Sequence, residues 1–280
     1  MTTIVLSRYQ TSALPAYCGA PTRIMISPDL GLSRIEATLG PDGLQFPDGE
    51  HLDWEAIKEI SSSENNCFTI KKGRLEKIVV FSATTNRACS LMPTAGAPTM
   101  LVAGFTMHRI KGCDPYQDTL AKMKAISPLR GVVLDTATGL GYTAIEAAKT
   151  AEQVHTVELD PAAQEVARQN PWSRELFDNP KITQYLGDSF ELVDSFSEAM
   201  FDRIIHDPPV FSLAGQLYGG EFYRKLYRVL RKGGRLFHYI GNPASRAQMS
   251  ITHGVIARLR EAGFARTKLF PQAFGVVADK

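Results

Sequence analysis

Acidic side chains stand at the ends of successive short apolar runs in the second half of this chain. Asp135 follows Val132-Val133-Leu134, Glu158 follows Val154-His155-Thr156-Val157, Asp188 lies just past Ile182–Leu186, and Asp207 follows Phe201–His206. Behind Asp135 comes a glycine turn, Thr136-Ala137-Thr138-Gly139-Leu140-Gly141-Tyr142. Gly139 and Gly141 allow a tight bend and close approach of backbone to a ligand, and a helix starting there points unbonded N–H groups the same way. Asp135, at the strand tip, can reach an ammonium or a water beside it. A dinucleotide fingerprint would read Gly-x-Gly-x-x-Gly; Ala144 takes the third place here, so the glycines alone do not decide the ligand. A carboxylate beside them would repel a pyrophosphate and favour an amino-acid ammonium. Glu158, about 17 residues after Gly141, can accept hydrogen bonds from both hydroxyls of a ribose.

The run Phe201–His206 stops at Asp207-Pro208-Pro209-Val210-Phe211. Two prolines cannot continue a strand ladder, so the chain leaves the sheet there. The carbonyls of Asp207 and Pro208, with the Asp207 carboxylate, suit a substrate N–H group. In an in-line displacement at a sulfonium carbon such acceptors aim the amine lone pair and stabilise the charge growing on nitrogen. Phe211 can stack on a planar substrate or lie against the sulfonium.

These residues need a scaffold that brings strand ends together. From Gly131 onward the pattern is strand, turn, helix, repeated. Strands are expected at 132–135, 153–158, 182–186, 201–206 and 235–240. Helices are expected at 143–150, 161–169, 221–231 (ending at Gly233-Gly234) and 250–261. Alternating βα units with short connections imply a parallel sheet covered on both faces, with ligands outside the carboxyl ends of the strands. Before it, Asp114-Pro115 starts a helix running to about Ile126, and residues 99–110 read as a strand leading into a loop. Residues 1–100 read as short strands and turns. Strands are expected at 23–27, 34–39, 67–70 and 77–81, with a short helix after Asp53 as N-cap. The expected domains are 1–100 (small and β-rich), 101–130 (linker and helix) and 131–280.

The pattern Asp135-x-x-x-Gly139-x-Gly141, then Val157-Glu158-Leu159-Asp160, then Gly187-Asp188-Ser189 resembles the cofactor signature of class I S-adenosylmethionine-dependent methyltransferases over roughly residues 115–280. The resemblance implies an α/β fold, a Rossmann-like methyltransferase domain on a mostly parallel sheet, preceded here by the small mainly β domain. It implies S-adenosylmethionine as cofactor, with Glu158 on the ribose, Asp188 near the adenine amine and the 139–141 turn under the methionine part. Asp135, Thr138, Tyr142 (toward the cofactor carboxylate), Leu159, Ser189 and Asp207 complete the expected binding set, and Asp207, Pro208 and Phe211 are the expected catalytic residues. Asp207-Pro-Pro resembles the (Asp/Asn)-Pro-Pro-aromatic motif of amino-methyltransferases but has Val210 in the fourth place. The Asp-Pro-Pro-x-Phe form resembles ribosomal-RNA methyltransferases, including cytosine enzymes that use a catalytic cysteine; no Cys follows Cys113. Together with Met107-His108-Arg109-Ile110, the whole pattern looks most like a group of predicted archaeal-type methyltransferases.

The leading expectation is therefore methylation of an amine nitrogen on a small molecule or nucleobase. A second reading is an aminopropyltransferase using decarboxylated S-adenosylmethionine, with Asp207 and Asp114 facing a polyamine. A third is an adenosyl-ligand sensor or RNA-binding module without chemistry. Plainer readings stand beside individual residues: Asp188 as a helix cap, His206 and His238 as core histidines, Tyr218 and Tyr223 as core, Met107-His108-Arg109 as a packed linker. The dense Arg224, Lys225, Arg228, Arg231, Lys232 and Arg235 are either a phosphate track or a solvated face around a buried stripe of Phe222, Leu226 and Val229-Leu230.

Composition is compatible with all three readings. Of 280 residues, 44% are hydrophobic and 21% charged, with a formal net charge of +2, so no global field demands nucleic acid. Cys18, Cys67, Cys89 and Cys113 show no Cys-x-x-Cys pair, which argues against a zinc site and for reduced thiols in a cytoplasmic protein. The first residues do not read as a secretory leader, and no apolar run reaches the roughly 20 residues of a membrane span.

Overall fold

The computed structural model describes residues 3–14, 19–209, 211, 214–243 and 245–280; Cys18 and Val210 lie outside the described residues. The chain divides into two compact units, residues 1–116 with 162–174, and residues 117–161 with 175–280.

In the first unit the strands are β1 (Ile4–Leu6), β2 (Thr22–Ile26), β3 (Ile35–Gly40), β4 (Gly43–Gln45), β5 (His51–Leu52), β6 (Phe68–Lys71), β7 (Arg74–Lys77), β8 (Val79–Ser82), β9 (Arg87–Met92), β10 (Thr99–Val102) and β11 (Phe105–Thr106). They form antiparallel sheets in the orders β1-β6-β7, β2-β3-β4-β5 and β11-β10-β9-β8. Helices α1 (Arg8–Thr11) and α2 (Trp54–Ser62) accompany them. Asp53 caps α2, accepting the Ala56 N–H at 2.7 Å. Ile57 and Ile60 on the inner face of α2 join Leu44, Phe46, Phe68 and Ile70 in one core.

The single strand expected over 77–81 is broken at Ile78. This residue is fully buried; its N–H donates to Cys67 O and its carbonyl accepts from Leu91 N, so it bridges two sheets. Where a strand leading into a loop was expected over 99–110, residues 99–106 form a hairpin of β10 and β11. β9, whose Cys89 and Leu91 point inward, has too weak an alternation to be read beforehand.

The second unit is one seven-stranded sheet. Helix α3 (Pro115–Ile126) enters it, followed by β12 (Val132–Asp135), α4 (Tyr142–Ala148), β13 (Gln153–Glu158), then α5 (Pro161–Gln169), whose residues from Ala162 onward belong to the first unit, and then α6 (Arg174–Asp178), β14 (Ile182–Leu186), α7 (Ser189–Leu192), β15 (Phe201–His206), α8 (Gly220–Val229), β16 (Leu230–Tyr239), α9 (Arg246–Glu261), β17 (Arg266–Phe270) and β18 (Gly275–Asp279). Strand order is β14-β13-β12-β15-β16-β18-β17. The first five are parallel, and β18 runs antiparallel to both β16 and β17. After β12 the chain steps outward to β13 and β14, then returns to place β15 on β12's other side. The tips of β12, β13 and β15 therefore share one edge at the switch point, where a crevice forms.

Phe222, Leu226 and Val229 of α8 are fully buried with Leu230, as the stripe predicted, against Leu134, Ile204, Leu236 and Val255. Each such side chain contributes about 1.5–3 kcal/mol on burial. Gly233-Gly234 does not stop the helix. α8 ends at Val229, and β16 begins at Leu230, paired with Phe201, before a register shift that resumes at Arg203↔Arg235. The closing β17–β18 hairpin was not foreseen.

Candidate active site

At the tips of β12 and β13, the carboxylate of Asp135 is fully buried at the end of β12. Its Oδ2 accepts the hydroxyls of Thr143 and Thr156, both at 3.0 Å, while Oδ1 is buried without a hydrogen-bond partner. Burial pushes this carboxyl up to about 7, opposed by the two hydroxyls. Thr138 crosses to the next strand, donating its N–H to Val157 O at 2.9 Å with its hydroxyl 2.6 Å from that of Thr156. Gly139 then donates its N–H to Glu158 Oε2 at 2.8 Å. Gly141 sits at φ +78°, and a Cβ there would come within 2.6 Å of Leu176 Cδ2, so only glycine fits the turn. Tyr142, the first residue of α4, is buried rather than presented to solvent.

Glu158 receives a second backbone N–H, from Asp160 at 2.9 Å. Burial pushes its carboxyl up to about 7, against the pull of those N–H groups. Leu159 follows as an exposed apolar side chain. At the neighbouring tip, Gly187 N donates to Glu158 O at 2.8 Å, and Asp188 caps α7 by accepting the Phe190 N–H at 2.8 Å, with Ser189 buried behind it. Gly139 and Gly187, the residue before Asp188, are thus joined to Glu158 through two hydrogen bonds, and Asp188 fills the cap role expected of it.

At the tip of β15, Asp207 leaves the strand next to Asp135, close enough for its charge to raise the Asp135 pKa. Its Oδ2 accepts the Lys122 ammonium at 2.6 Å, and the same ammonium lies 2.8 Å from Asp118 Oδ2. Asp118 and Lys122 are one turn apart on α3 and almost fully buried, whereas the Asp207 side chain keeps 17% exposure. Burial lowers the Lys122 pKa, but the two carboxylates more than reverse this and hold it above the usual lysine range. Pro208 is buried; the carbonyl of Pro209 accepts the Tyr218 hydroxyl at 3.0 Å. The half-exposed Phe211 packs edge-on against Tyr218, ring centroids 5.4 Å apart.

Asp118 and Lys122 were missed in the sequence. Charged residues four apart on a helix ordinarily mark a solvated face, and their role depends on a partner 85 positions away. Asp114, expected to accompany Asp207, instead caps α3, accepting the Tyr116 N–H at 2.8 Å.

The plainer readings hold for several residues. His206 is buried, bonded to Thr136 Oγ1 (2.7 Å) and Leu217 O (2.9 Å), and burial lowers its pKa to about 4, so the ring is neutral. His238 is buried against Tyr223, whose hydroxyl lies 2.9 Å from its Nε2. In the first unit, His108 is bound to Thr99 Oγ1 at 3.0 Å. Much of the basic cluster is committed to neighbours. Lys225 meets Phe190 O and Asp194, Arg228 meets Phe196 O and Val193 O, Arg231 meets Ala199 O and Asp202, and Arg235 meets Asp279 and Ser127 O. Among the described residues, no helix is long and apolar enough to cross a membrane.

Residues 113–270 match the spermine/spermidine synthase domain. An uncharacterized protein of Methanocaldococcus jannaschii is 43% identical over 238 residues, covering 84% of this chain and 81% of that protein. The polyamine aminopropyltransferase of Mycobacterium tuberculosis (strain H37Rv) is 33% identical over 122 residues, 41% of this chain but only 23% of that enzyme. A crystal structure of spermidine synthase in complex with the transition-state analogue AdoDATO is similar in fold at a TM-score of 0.60 and 21% identity, covering 74% of this chain and 76% of that one.

These matches overturn the expectation of amine methylation: they favour aminopropyl transfer over methyl transfer. They also overturn S-adenosylmethionine as cofactor, because the matched family consumes decarboxylated S-adenosylmethionine as a substrate. The physical reason is that both reactions displace a thioether from a sulfonium carbon. One glycine turn and one ribose carboxylate serve either, and the motifs do not say which carbon is attacked. The narrower likeness to an archaeal Asp-Pro-Pro methyltransferase group is not what the matches show. With more than half of its length covered by one family, on a mostly parallel α/β sheet like that of spermidine synthase, this chain belongs to the spermine/spermidine synthase domain family.

Proposed function

We propose that this protein transfers the aminopropyl group of decarboxylated S-adenosylmethionine to a primary amine of a polyamine-type acceptor. The observation that supports the reading is the match of residues 113–270 to the spermine/spermidine synthase domain, together with the Gly139–Glu158 hydrogen bond and the Asp207 carboxylate at neighbouring strand tips on one sheet edge. Glu158 takes the ribose hydroxyls, Leu159 lies along the adenine, Asp188 and Ser189 sit at its amine edge, and Thr138, Gly139, Gly141 and Tyr142 form the turn beneath the tail. That tail is cationic at both the sulfonium and the terminal ammonium and has no carboxylate. Asp135, with a buried oxygen lacking a hydrogen-bond donor, suits it, whereas Lys122, already shared by two carboxylates, has no charge left over for a carboxylate.

The acceptor nitrogen attacks the aminopropyl carbon bonded to sulfur. The C–S bond breaks with its electron pair going to sulfur, releasing methylthioadenosine, and the new secondary ammonium gives up its proton to Asp207 or to water. Asp207 and the Pro208 carbonyl orient the attacking N–H groups, and Phe211 covers the sulfonium. In this reading residues 131–280 are the catalytic domain, the 101–130 segment supplies Asp118 and Lys122, and residues 1–100 are a separate β-rich domain.

The test is to incubate the purified chain with a panel of diamines and polyamines and either decarboxylated or intact S-adenosylmethionine. Methylthioadenosine and an aminopropylated amine are expected from the first. S-adenosylhomocysteine and a methylated amine from the second, with no turnover of the first, would overturn the proposal.

A further inference from the structure

Asp207 is the reactive carboxylate in the function proposed above, yet it does not stand alone. The Lys122 ammonium lies 2.6 Å from its Oδ2, 2.8 Å from Asp118 Oδ2 and 4.6 Å from the centre of the Tyr239 ring. Three elements converge on this one nitrogen: α3, the exit of β15 and the end of β16. Lys122 and Asp118 are 1% and 0% exposed, so neither is placed to meet a substrate, while Asp207 at 17% is partly open. A buried lysine is costly unless paired, and a lysine serving only as a surface counter-ion would not be sequestered in this way. The other groups around the cluster are acidic, phenolic or basic: His206 and His238 pack against Tyr218, both held neutral by burial, and Arg258 donates to Tyr218 O at 2.9 Å. Asp135 on β12 and Tyr218 after β15 both feel the Asp207 charge, and Tyr218 also feels Tyr223 and Tyr239.

We propose that Lys122 is the positioning residue of Asp207: anchored by Asp118 and the Tyr239 face, it pins one carboxylate oxygen, so that Asp207 meets the acceptor amine as a fixed anion. Asp118 in turn keeps the lysine from following a mobile carboxylate, because its own position one turn back on α3 is rigid. The Lys122 charge persists across the working pH range, since both carboxylates hold its pKa above the ordinary lysine value despite burial.

This inference rests on the aminopropyl-transfer reading only for its kinetic arm. The variants are Lys122→Met, Lys122→Arg and the double variant Asp118→Asn/Lys122→Met, which removes one buried charge of each sign and stands in where the single variant does not fold. Carboxyl ¹³C titration of Asp-labelled protein, with the Asp207 signal identified from Asp207→Asn, is read without any substrate. In parallel, kcat, KM and the pH profile are measured with decarboxylated S-adenosylmethionine. In the lysine-free variants the Asp207 titration and the acid limb of kcat should both move up by about 1–3 pH units. Neutral-pH kcat should fall about 10–100-fold with KM for the nucleoside substrate unchanged, and Lys122→Arg should recover most of the loss. A folded lysine-free protein with the wild-type Asp207 titration and pH limb would overturn the proposal. If the wild-type chain transfers no aminopropyl group, the functional reading fails, and the ¹³C titration still decides the role of Lys122.

Discussion

The two sides of the β12 tip satisfy their carboxylates in different currencies. On the side proposed to hold the nucleoside, Asp135 and Glu158 are met by neutral donors, among them the hydroxyls of Thr143 and Thr156 and the backbone N–H groups of Gly139 and Asp160. Burial then dominates, and both carboxyls are pushed up to about 7. On the reacting side, Asp207 is met by a full positive charge. Neutral donors fix geometry but leave an anion that is better satisfied by an incoming cation or hydroxyl, as a binding surface requires. A lysine counter-ion stabilises the ionised form before any ligand arrives, which in the proposed reaction keeps Asp207 an anion that orients the attacking amine.

If that division is correct, Asp207→Asn is the change with the largest effect on rate. It keeps the shape, removes the anion and should lower kcat by about 10²–10⁴-fold, with binding of the nucleoside substrate little altered in calorimetry. Glu158→Gln should do the converse. Losing charge-assisted bonds worth about 1.5–3 kcal/mol weakens nucleoside affinity roughly 10–100-fold, and saturating substrate restores most of the turnover. Equal losses of affinity in both variants would erase the distinction between the two sides.

The pH dependence sharpens the same contrast. Asp135 and Glu158 titrate near 4 in an unfolded chain and near 7 when folded. Between those values the folded protein holds protons that the unfolded chain has released, so stability falls as pH rises from about 4 to 7. Affinity for a cationic ligand should rise toward pH 8 as the same groups ionise. Thermal melts of the free protein and calorimetry at matched pH should therefore trend in opposite directions, and Glu158→Gln should reduce both slopes, leaving the share of Asp135. Slopes as steep in the variant as in the wild type would assign the titration elsewhere. The smallest functional effect is expected from Arg228→Met. It removes bonds to Phe196 O and Val193 O, costing about 1–3 kcal/mol of stability in a denaturant melt and leaving kcat/KM unchanged. A loss of activity there would reopen the substrate-track reading of the basic cluster.

Much of the nucleoside side was legible in the linear chain. Apolar runs of strand length, a Gly-x-Gly turn and acidic strand ends are local signals, and they placed Asp135, Gly139, Gly141, Glu158, Asp188 and Asp207 at the tips of the strands where the structure has them. Local signals also assigned the fully buried stripe of α8. They failed where a residue's setting is decided by chain far away. Ile78 is shared between two sheets by its backbone partners Cys67 and Leu91. Leu230 extends into β16 because Phe201 pairs with it. β18 enters the sheet beside β16 by long-range pairing alone.

What the sequence by itself determined is the order of strands, turns and helices in the second unit and which carboxylates end those strands, because backbone propensity and hydrophobic period act over a few residues. The tertiary structure alone decided that Asp118 and Lys122 turn inward. A charged pair one helical turn apart reads as a solvated face unless a buried counter-charge compensates desolvation, and that counter-charge, Asp207, lies 85 residues along the chain.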